Sequence, residues 1–133
     1  MDEQDEQHDE SREEQRLVVV GQGYVGLPLA MRAVEAGFNV VGYDVDAHRV
    51  KRLIDGESYV EDISNEQLAA AIATGRYTAS SETRSCAGFD VAVVTVPTPL
   101  REGVPDLSYI EGAALALSRF VRPGSTVILE STT

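Results

Sequence analysis

Cysteine, lysine and long apolar runs are scarce in this sequence, and tryptophan is missing altogether. Each absence closes off a class of protein. One cysteine, Cys86, excludes a disulfide within the chain and any thiolate cluster for zinc or iron–sulfur. The longest apolar runs fall far short of the roughly 20 residues a membrane helix needs, so no membrane partner is expected. His8 and His48 stand apart, and no Asp, Glu and His residues share ligand spacing, so no metal site is expected. The amino terminus is acidic with no apolar stretch behind it, which together with the lone cysteine makes a cytoplasmic location the expectation.

Positive charge is also in deficit. Lys51 is the single lysine beside ten arginines, and the formal net charge is -11. Residues 1–14 carry eight acids against one arginine, a local net of -7 that leaves -4 for residues 15–133. Such a field repels phosphate backbones, so nucleic acid is not an expected partner. The first fourteen residues hold no aromatic or aliphatic side chain after Met1 and read as an acidic disordered leader, with an acidic interaction arm as the alternative. The remaining 15–133 suffices for one domain with a core, and 43% hydrophobic residues is a globular composition.

What is present alternates. Leu17–Val20 is a continuous apolar run of the kind that forms a buried parallel strand. Tyr24–Ala36 then has helical spacing, with Val25, Leu29, Ala33 and Ala36 on one face, and Gly37 suits its end. Phe38–Tyr43 is a second strand, so a βαβ unit is expected. Asp46 is placed to cap a short helix through Ile54, and Ser64 caps another that stops at Gly75. Tyr77–Ala79 is a weak strand, Ser80–Ala87 a short helix and Asp90–Val96 a strong strand. Pro97, Pro99 and Gly103 predict a loop. A helix over Ser108–Phe120, striped by Ile110, Ala113, Ala114, Leu117 and Val121, precedes a last strand at Thr126–Leu129. This rhythm predicts an α/β fold: a doubly wound, mostly parallel Rossmann-type sheet of about five or six strands.

The sharpest local signal is Gly21-Gln22-Gly23-Tyr24-Val25-Gly26, directly after a strand and opening a helix. In such a turn the first glycine permits the bend, the second lets backbone approach a pyrophosphate, and the third lets helix and sheet pack closely. Helix-terminal N–H groups and the helix dipole then hold the diphosphate without a lysine. Asp44 ends the second strand 23 residues after Gly21, where a carboxylate accepts both hydroxyls of an adenosine ribose. A 2′-phosphate would meet that negative charge, so NAD is favoured over NADP. Arg49 and Lys51 lie nearby, either as solvated cations on a short helix or as partners for a phosphate.

Gly21 through Ala30 resembles the opening of the UDP-glucose/GDP-mannose dehydrogenase family, the UDP-sugar 6-dehydrogenases. Gly42-Tyr43-Asp44-Val45-Asp46, Val96-Pro97-Thr98-Pro99 and Glu130-Ser131-Thr132 extend the resemblance over about residues 16–133. Gly56 through Ile63 looks most like the branch acting on UDP-N-acetylamino sugars, such as UDP-N-acetyl-mannosamine dehydrogenase. The resemblance implies an NAD-binding domain of an enzyme that oxidises a C6 alcohol to a carboxylate with two NAD, through a catalytic cysteine. It matches Gly21, Gly23 and Gly26, with backbone at Tyr24 and Val25, to the pyrophosphate turn, and Asp44 to the ribose acid. It puts Arg49 at the adenosine ribose and Thr98 in a loop beside the cofactor. Glu130 and Ser131 flank a strand end, and Thr132 matches a threonine that orients water or substrate.

The family's nucleophilic cysteine, with its lysine and asparagine partners, matches nothing in this chain. Cys86 reads as a small buried hydrophobe. The expectation is therefore a chain that binds NAD without turnover, with a UDP-sugar bound only in a full-length protein. A stand-alone NAD-binding regulatory or structural module is the alternative; it would have to protect the edge strand Thr126–Leu129, for example as a homo-oligomer.

Overall fold

The computed structural model describes residues 15–130. The acidic segment 1–14, Ser131 and Thr132 therefore lie outside the described residues. Five parallel strands make the main sheet: β1 (Arg16–Val20), β2 (Asn39–Tyr43), β3 (Tyr77–Ser80), β4 (Val91–Val94) and, last in the chain, the strand Thr126–Leu129. Their spatial order is β3-β2-β1-β4 followed by that last strand. The chain winds outward from β1 to β3, then returns to β1's other side for β4. Ligands of open α/β sheets lie at the carboxyl ends of the strands where the winding reverses, which here is the gap between β1 and β4.

The helices follow from capping and pattern. Helix α1 (Gly26–Glu35) joins β1 to β2. Helix α2 (Ala47–Ile54) is capped by Asp46, whose side chain accepts from the N–H groups of His48 and Arg49. Ser64 caps α3 (Asn65–Ala73) by accepting from the Gln67 N–H. Helix α4 (Ser108–Ser118) returns the chain to the last strand.

Strand alternation sorts the core onto two faces. Val19, with Leu27, Met31, Val40, Leu53 and Leu68, packs under α1, α2 and α3. Val18 and Val20, with Phe89, Ala92, Ala113 and Leu117, pack on the side of α4.

Three expectations are corrected. The first helix starts at Gly26 rather than Tyr24, because Tyr24 and Val25 remain in the turn. Segment 97–107 holds a small antiparallel hairpin, β5 (Leu100–Arg101) with β6 (Val104–Pro105), turned at Glu102 (φ 54°) and Gly103 (φ 80°). The last strand is thus β7. Where a short helix over Ser80–Ala87 was expected, Ser80 ends β3 and Thr83–Cys86 form a 3-10 turn. In addition, α4 buries only Ala113 and Leu117, and Val121 beyond its end is exposed. Strand β7 pairs with β4 along one edge, and Val127, Ile128 and Leu129 are exposed.

Candidate cofactor site

The turn after β1 is shaped by three glycines whose constraints differ. Gly21 has φ +96°, and a Cβ there would lie 3.1 Å from Thr95 Oγ1 and 3.2 Å from the Thr95 carbonyl. A Cβ on Gly26 would overlap the Gly21 carbonyl oxygen and stand 2.6 Å from Thr95 Oγ1. These two positions are closed by the protein itself. Gly23 is not: a Cβ there would meet only Arg49 Nη1, at an ordinary 3.5 Å. Space at Gly23 is kept for something other than this chain's own packing.

The backbone donors tell the same story. Gly21 N–H donates to the Tyr43 carbonyl (2.7 Å), Gln22 N–H to Asp44 Oδ2 (2.9 Å) and Leu27 N–H to the Gly23 carbonyl (3.0 Å). Among the described residues, the N–H groups of Gly23, Tyr24, Val25 and Gly26 find no acceptor. Helix α1 has no side-chain cap and no acid in its first turn. A bare helix terminus of this kind suits an anion through its donors and dipole.

Asp44, 7% exposed, stands at the end of β2. Its Oδ1 accepts from the Asp46 N–H and its Oδ2 from the Gln22 N–H, both at 2.9 Å. Two bonds occupy about half of a carboxylate's acceptor capacity, leaving the rest open to further donors. Arg49 Nη1 lies 3.7 Å from Asp44 Oδ2, and its guanidinium sits 5.4 Å from the centre of the Tyr59 ring. Lys51 instead pairs with Asp55 at 3.2 Å.

These groups open on one cleft of about 820 Å³, within the range of small-molecule and cofactor sites. Gly21, Gly23, Tyr24, Val25, Asp44 and Arg49 all line it, so residues spread over 29 positions are brought to one wall. Val96 and Pro97 line it from the end of β4, whereas Thr98, one residue further, is not among the lining residues. Glu130 is exposed beyond β7, where its N–H donates to the Val94 carbonyl at 2.9 Å, and does not line the cleft either. Thr132 lies outside the described residues.

The opposite wall is the start of α4, with Ser108, Tyr109, Gly112 and Ala113. Sequence reasoning placed Ala113 in the helix's apolar stripe and assigned none of the four to the site, although the small pair Gly112-Ala113 early in that helix was a usable sign. It also missed the polar support under the turn. The buried polar side chains among the described residues are Gln22, Asp44 and Thr95, and all three meet here. Thr95 Oγ1 donates toward the carbonyls of Val20 (3.0 Å) and Gly21 (2.9 Å). Gln22 Oε1 accepts from the Tyr77 hydroxyl at 2.7 Å. Burial, reinforced by the charge of Asp44, pushes the Tyr59 hydroxyl up to about 12, and burial raises Tyr77 as well, so both remain protonated donors at neutral pH.

N–H groups without an acceptor among the described residues, facing an open Gly23 beside a buried carboxylate, have the donors and acceptors that binding a dinucleotide requires. Among the described residues no group of His, Cys, Asp and Glu is arranged to hold a metal ion, and no helix is long and apolar enough to cross a membrane.

Residues 15–133 match the family described as "UDP-glucose/GDP-mannose dehydrogenase family, NAD binding domain". A UDP-N-acetyl-D-mannosamine dehydrogenase of Pyrococcus horikoshii is 33% identical over 118 residues, covering 88% of this chain and 28% of that protein. An NDP-N-acetyl-D-galactosaminuronic acid dehydrogenase of Ralstonia nicotianae is 36% identical, covering 87% of this chain and 27% of its own length. The solved structure of the Pyrococcus horikoshii UDP-D-ManNAc dehydrogenase superposes with a TM-score of 0.85 at 33% identity, over 89% of this chain and 28% of the other. A UDP-glucose dehydrogenase from Pyrobaculum islandicum gives a TM-score of 0.78 at 34% identity, over 90% and 29%. The chain thus spans little more than a quarter of the length of these relatives.

Proposed function

The chain belongs to the UDP-glucose/GDP-mannose dehydrogenase family, whose NAD-binding domain it carries, and on that premise we propose that its cleft is the cofactor half of a nucleotide-sugar oxidation. Gly23, Tyr24, Val25 and Gly26 hold the diphosphate through backbone N–H groups, and Asp44 accepts the adenosine ribose hydroxyls. Arg49 flanks that ribose. The single observation carrying this reading is the set of N–H groups without an acceptor among the described residues, set beside the buried Asp44 in one cleft.

When bound, NAD supplies the hydride acceptor, and the protein's part is to bind and orient it. The α4 start and the Val96-Pro97 segment line the same cleft as the turn, so a bound dinucleotide would lie between them and the turn. The substrate we propose is a UDP-sugar of the N-acetylamino type, oxidised at C6 from alcohol to carboxylate with two NAD. Similarity to a UDP-N-acetyl-D-mannosamine dehydrogenase supports this choice, as does the Gly56–Ile63 segment. Thr98 and Glu130 are proposed to lie beside the cofactor, and Thr132 to orient water or substrate, in a protein of the relatives' length.

Turnover by these 133 residues alone is not expected. Cys86 is fully buried, and burial raises its thiol to about 11, so it supplies no thiolate nucleophile at neutral pH. Calorimetric titration with NAD and NADP tests the reading: measurable NAD binding and weaker NADP binding are expected, and no heat with either would sink it.

A further inference from the structure

The two peptide units at the heart of the turn are held in different ways. The carbonyl of the 21–22 peptide accepts from Thr95 Oγ1 (2.9 Å) and from Gln22 Nε2 (3.1 Å). The carbonyl of the 22–23 peptide accepts from one side chain among the described residues, the Tyr59 hydroxyl, at 2.6 Å. A trans peptide is planar, with its C=O and N–H pointing in opposite directions. Fixing the Gln22 carbonyl on Tyr59 therefore aims the Gly23 N–H away from Tyr59, and that N–H finds no acceptor among the described residues.

Tyr59 is itself held from several sides. Its ring packs against the core cluster under α1, α2 and α3, and the guanidinium groups of Arg49 and Arg52 lie 5.4 and 5.5 Å from its centre. The adjoining Ser58 N–H donates to Asn65 Oδ1 at 2.8 Å, which ties the segment to the start of α3. Beneath, Gln22 is fully buried, and its side chain is pinned by Tyr77 and by the Val19 carbonyl at 3.3 Å. A Cβ on Gly42 would approach Gln22 Cδ to 2.6 Å and the Tyr77 hydroxyl to 2.7 Å, so β2 leaves room for this link only by carrying glycine.

We propose that Tyr59 is a positioning residue for the diphosphate of the cofactor, acting through the Gln22 carbonyl to aim the Gly23 N–H into the cleft. The hydrogen bond also polarises the peptide, which strengthens the N–H as a donor. This inference rests on reading the turn as the diphosphate site. Tyr59 is not among the residues that line the cleft, so it acts only through the peptide.

The test uses the full 133-residue chain and Tyr59→Phe, which keeps the ring and its arginine contacts. NAD, ADP and adenosine are titrated against both proteins by NMR, with thermal midpoints measured in parallel. Loss of one hydrogen bond predicts NAD and ADP dissociation constants raised about five- to tenfold. Adenosine, which has no diphosphate, should change less than twofold. The Gly23 amide resonance should move in the free variant and lose most of its ADP-induced shift, a signature that general loosening of the fold does not produce. Equal losses for ADP and adenosine, or an unaltered Gly23 amide, would overturn the inference. Because Tyr59→Phe also removes a stabilising contact, Tyr77→Phe serves as the control. It removes the buried bond to Gln22 Oε1, keeps the Gln22 Nε2 contacts with the Val19 and Gly21 carbonyls and leaves the Tyr59 bond in place, so its ADP affinity should exceed that of Tyr59→Phe. The reverse order would also overturn the proposal. No binding of NAD or ADP by the unsubstituted chain overturns the cofactor reading and this inference together, whereas binding that Tyr59→Phe leaves unchanged overturns the inference alone.

Discussion

The backbone N–H of Gln22 donates to Asp44 Oδ2 at 2.9 Å, so the glycine turn after β1 and the acid at the end of β2 are joined by a direct hydrogen bond. The two halves of the sequence motif, 22 residues apart, are therefore a single structural unit. Anything that moves Asp44 also moves the turn.

Asp44→Ala should weaken NAD binding roughly ten- to a hundredfold, from loss of charge-assisted hydrogen bonds worth about 1.5–3 kcal/mol. It should weaken NADP less, because the carboxylate that opposes a 2′-phosphate is removed. Paired titrations with the two cofactors measure this. An unchanged NAD-to-NADP ratio would mean that a residue other than Asp44 sets the preference.

The glycines of the turn should separate by substitution. Gly23→Ala meets only an ordinary contact with Arg49 and is expected to keep the thermal midpoint while losing NAD affinity by tenfold or more. Gly26→Ala puts a methyl into the Gly21 carbonyl and should destabilise the fold by about 1–3 kcal/mol or more. Thermal melts and NAD titrations on both variants check the contrast; equal stability of the two would refute it.

Arg49 sits within 3.7 Å of Asp44 and offsets part of its charge. With nearly half of its side chain exposed, the pair adds little to stability. Arg49→Ala should leave the melting temperature nearly unchanged yet reduce NADP binding several-fold more than NAD binding. Dissociation constants at low salt decide the matter, and a larger loss for NAD would reverse the assignment.

Alkali should destabilise the protein in a defined window. Burial raises the Cys86 thiol from 9.0 to about 11 and, together with Asp44, raises the Tyr59 hydroxyl from 10.0 to about 12. Both groups favour their neutral forms in the fold, so their contribution is flat below pH 9. It falls as the unfolded chain loses protons that the native state retains, between about pH 9 and 12. Denaturant melts across that range should show the decline. Thiol labelling at pH 8 should proceed only at the rate of opening, and fast labelling of the native chain would contradict the burial of Cys86.

Most of the architecture was legible because it is local. Alternating apolar runs, the Asp46 and Ser64 caps and the glycines that end the helices specify β1–β4, β7 and α1–α4 to within a few residues, since short-range backbone chemistry decides where such elements start and stop. The turn with Asp44 was equally legible, because strand, glycine spacing and acid all lie in one βαβ unit. The hairpin at 100–105 was not: strands of two residues are too short to show a period, and Pro97, Pro99 and Gly103 dominate the local signal.

Tertiary structure alone decided the role of Gln22. In the motif it occupies a position where any residue is allowed, and its significance comes from Tyr77, 55 residues away, and from Tyr59, 37 away. It also decided that Gly23, unlike Gly21 and Gly26, has room for a side chain. Folding brings the start of α4 across from the turn, and no pattern within either segment contains that distance. Periodicity and capping record a residue's near neighbours along the chain, whereas a buried polar side chain takes its meaning from the distant groups that satisfy it.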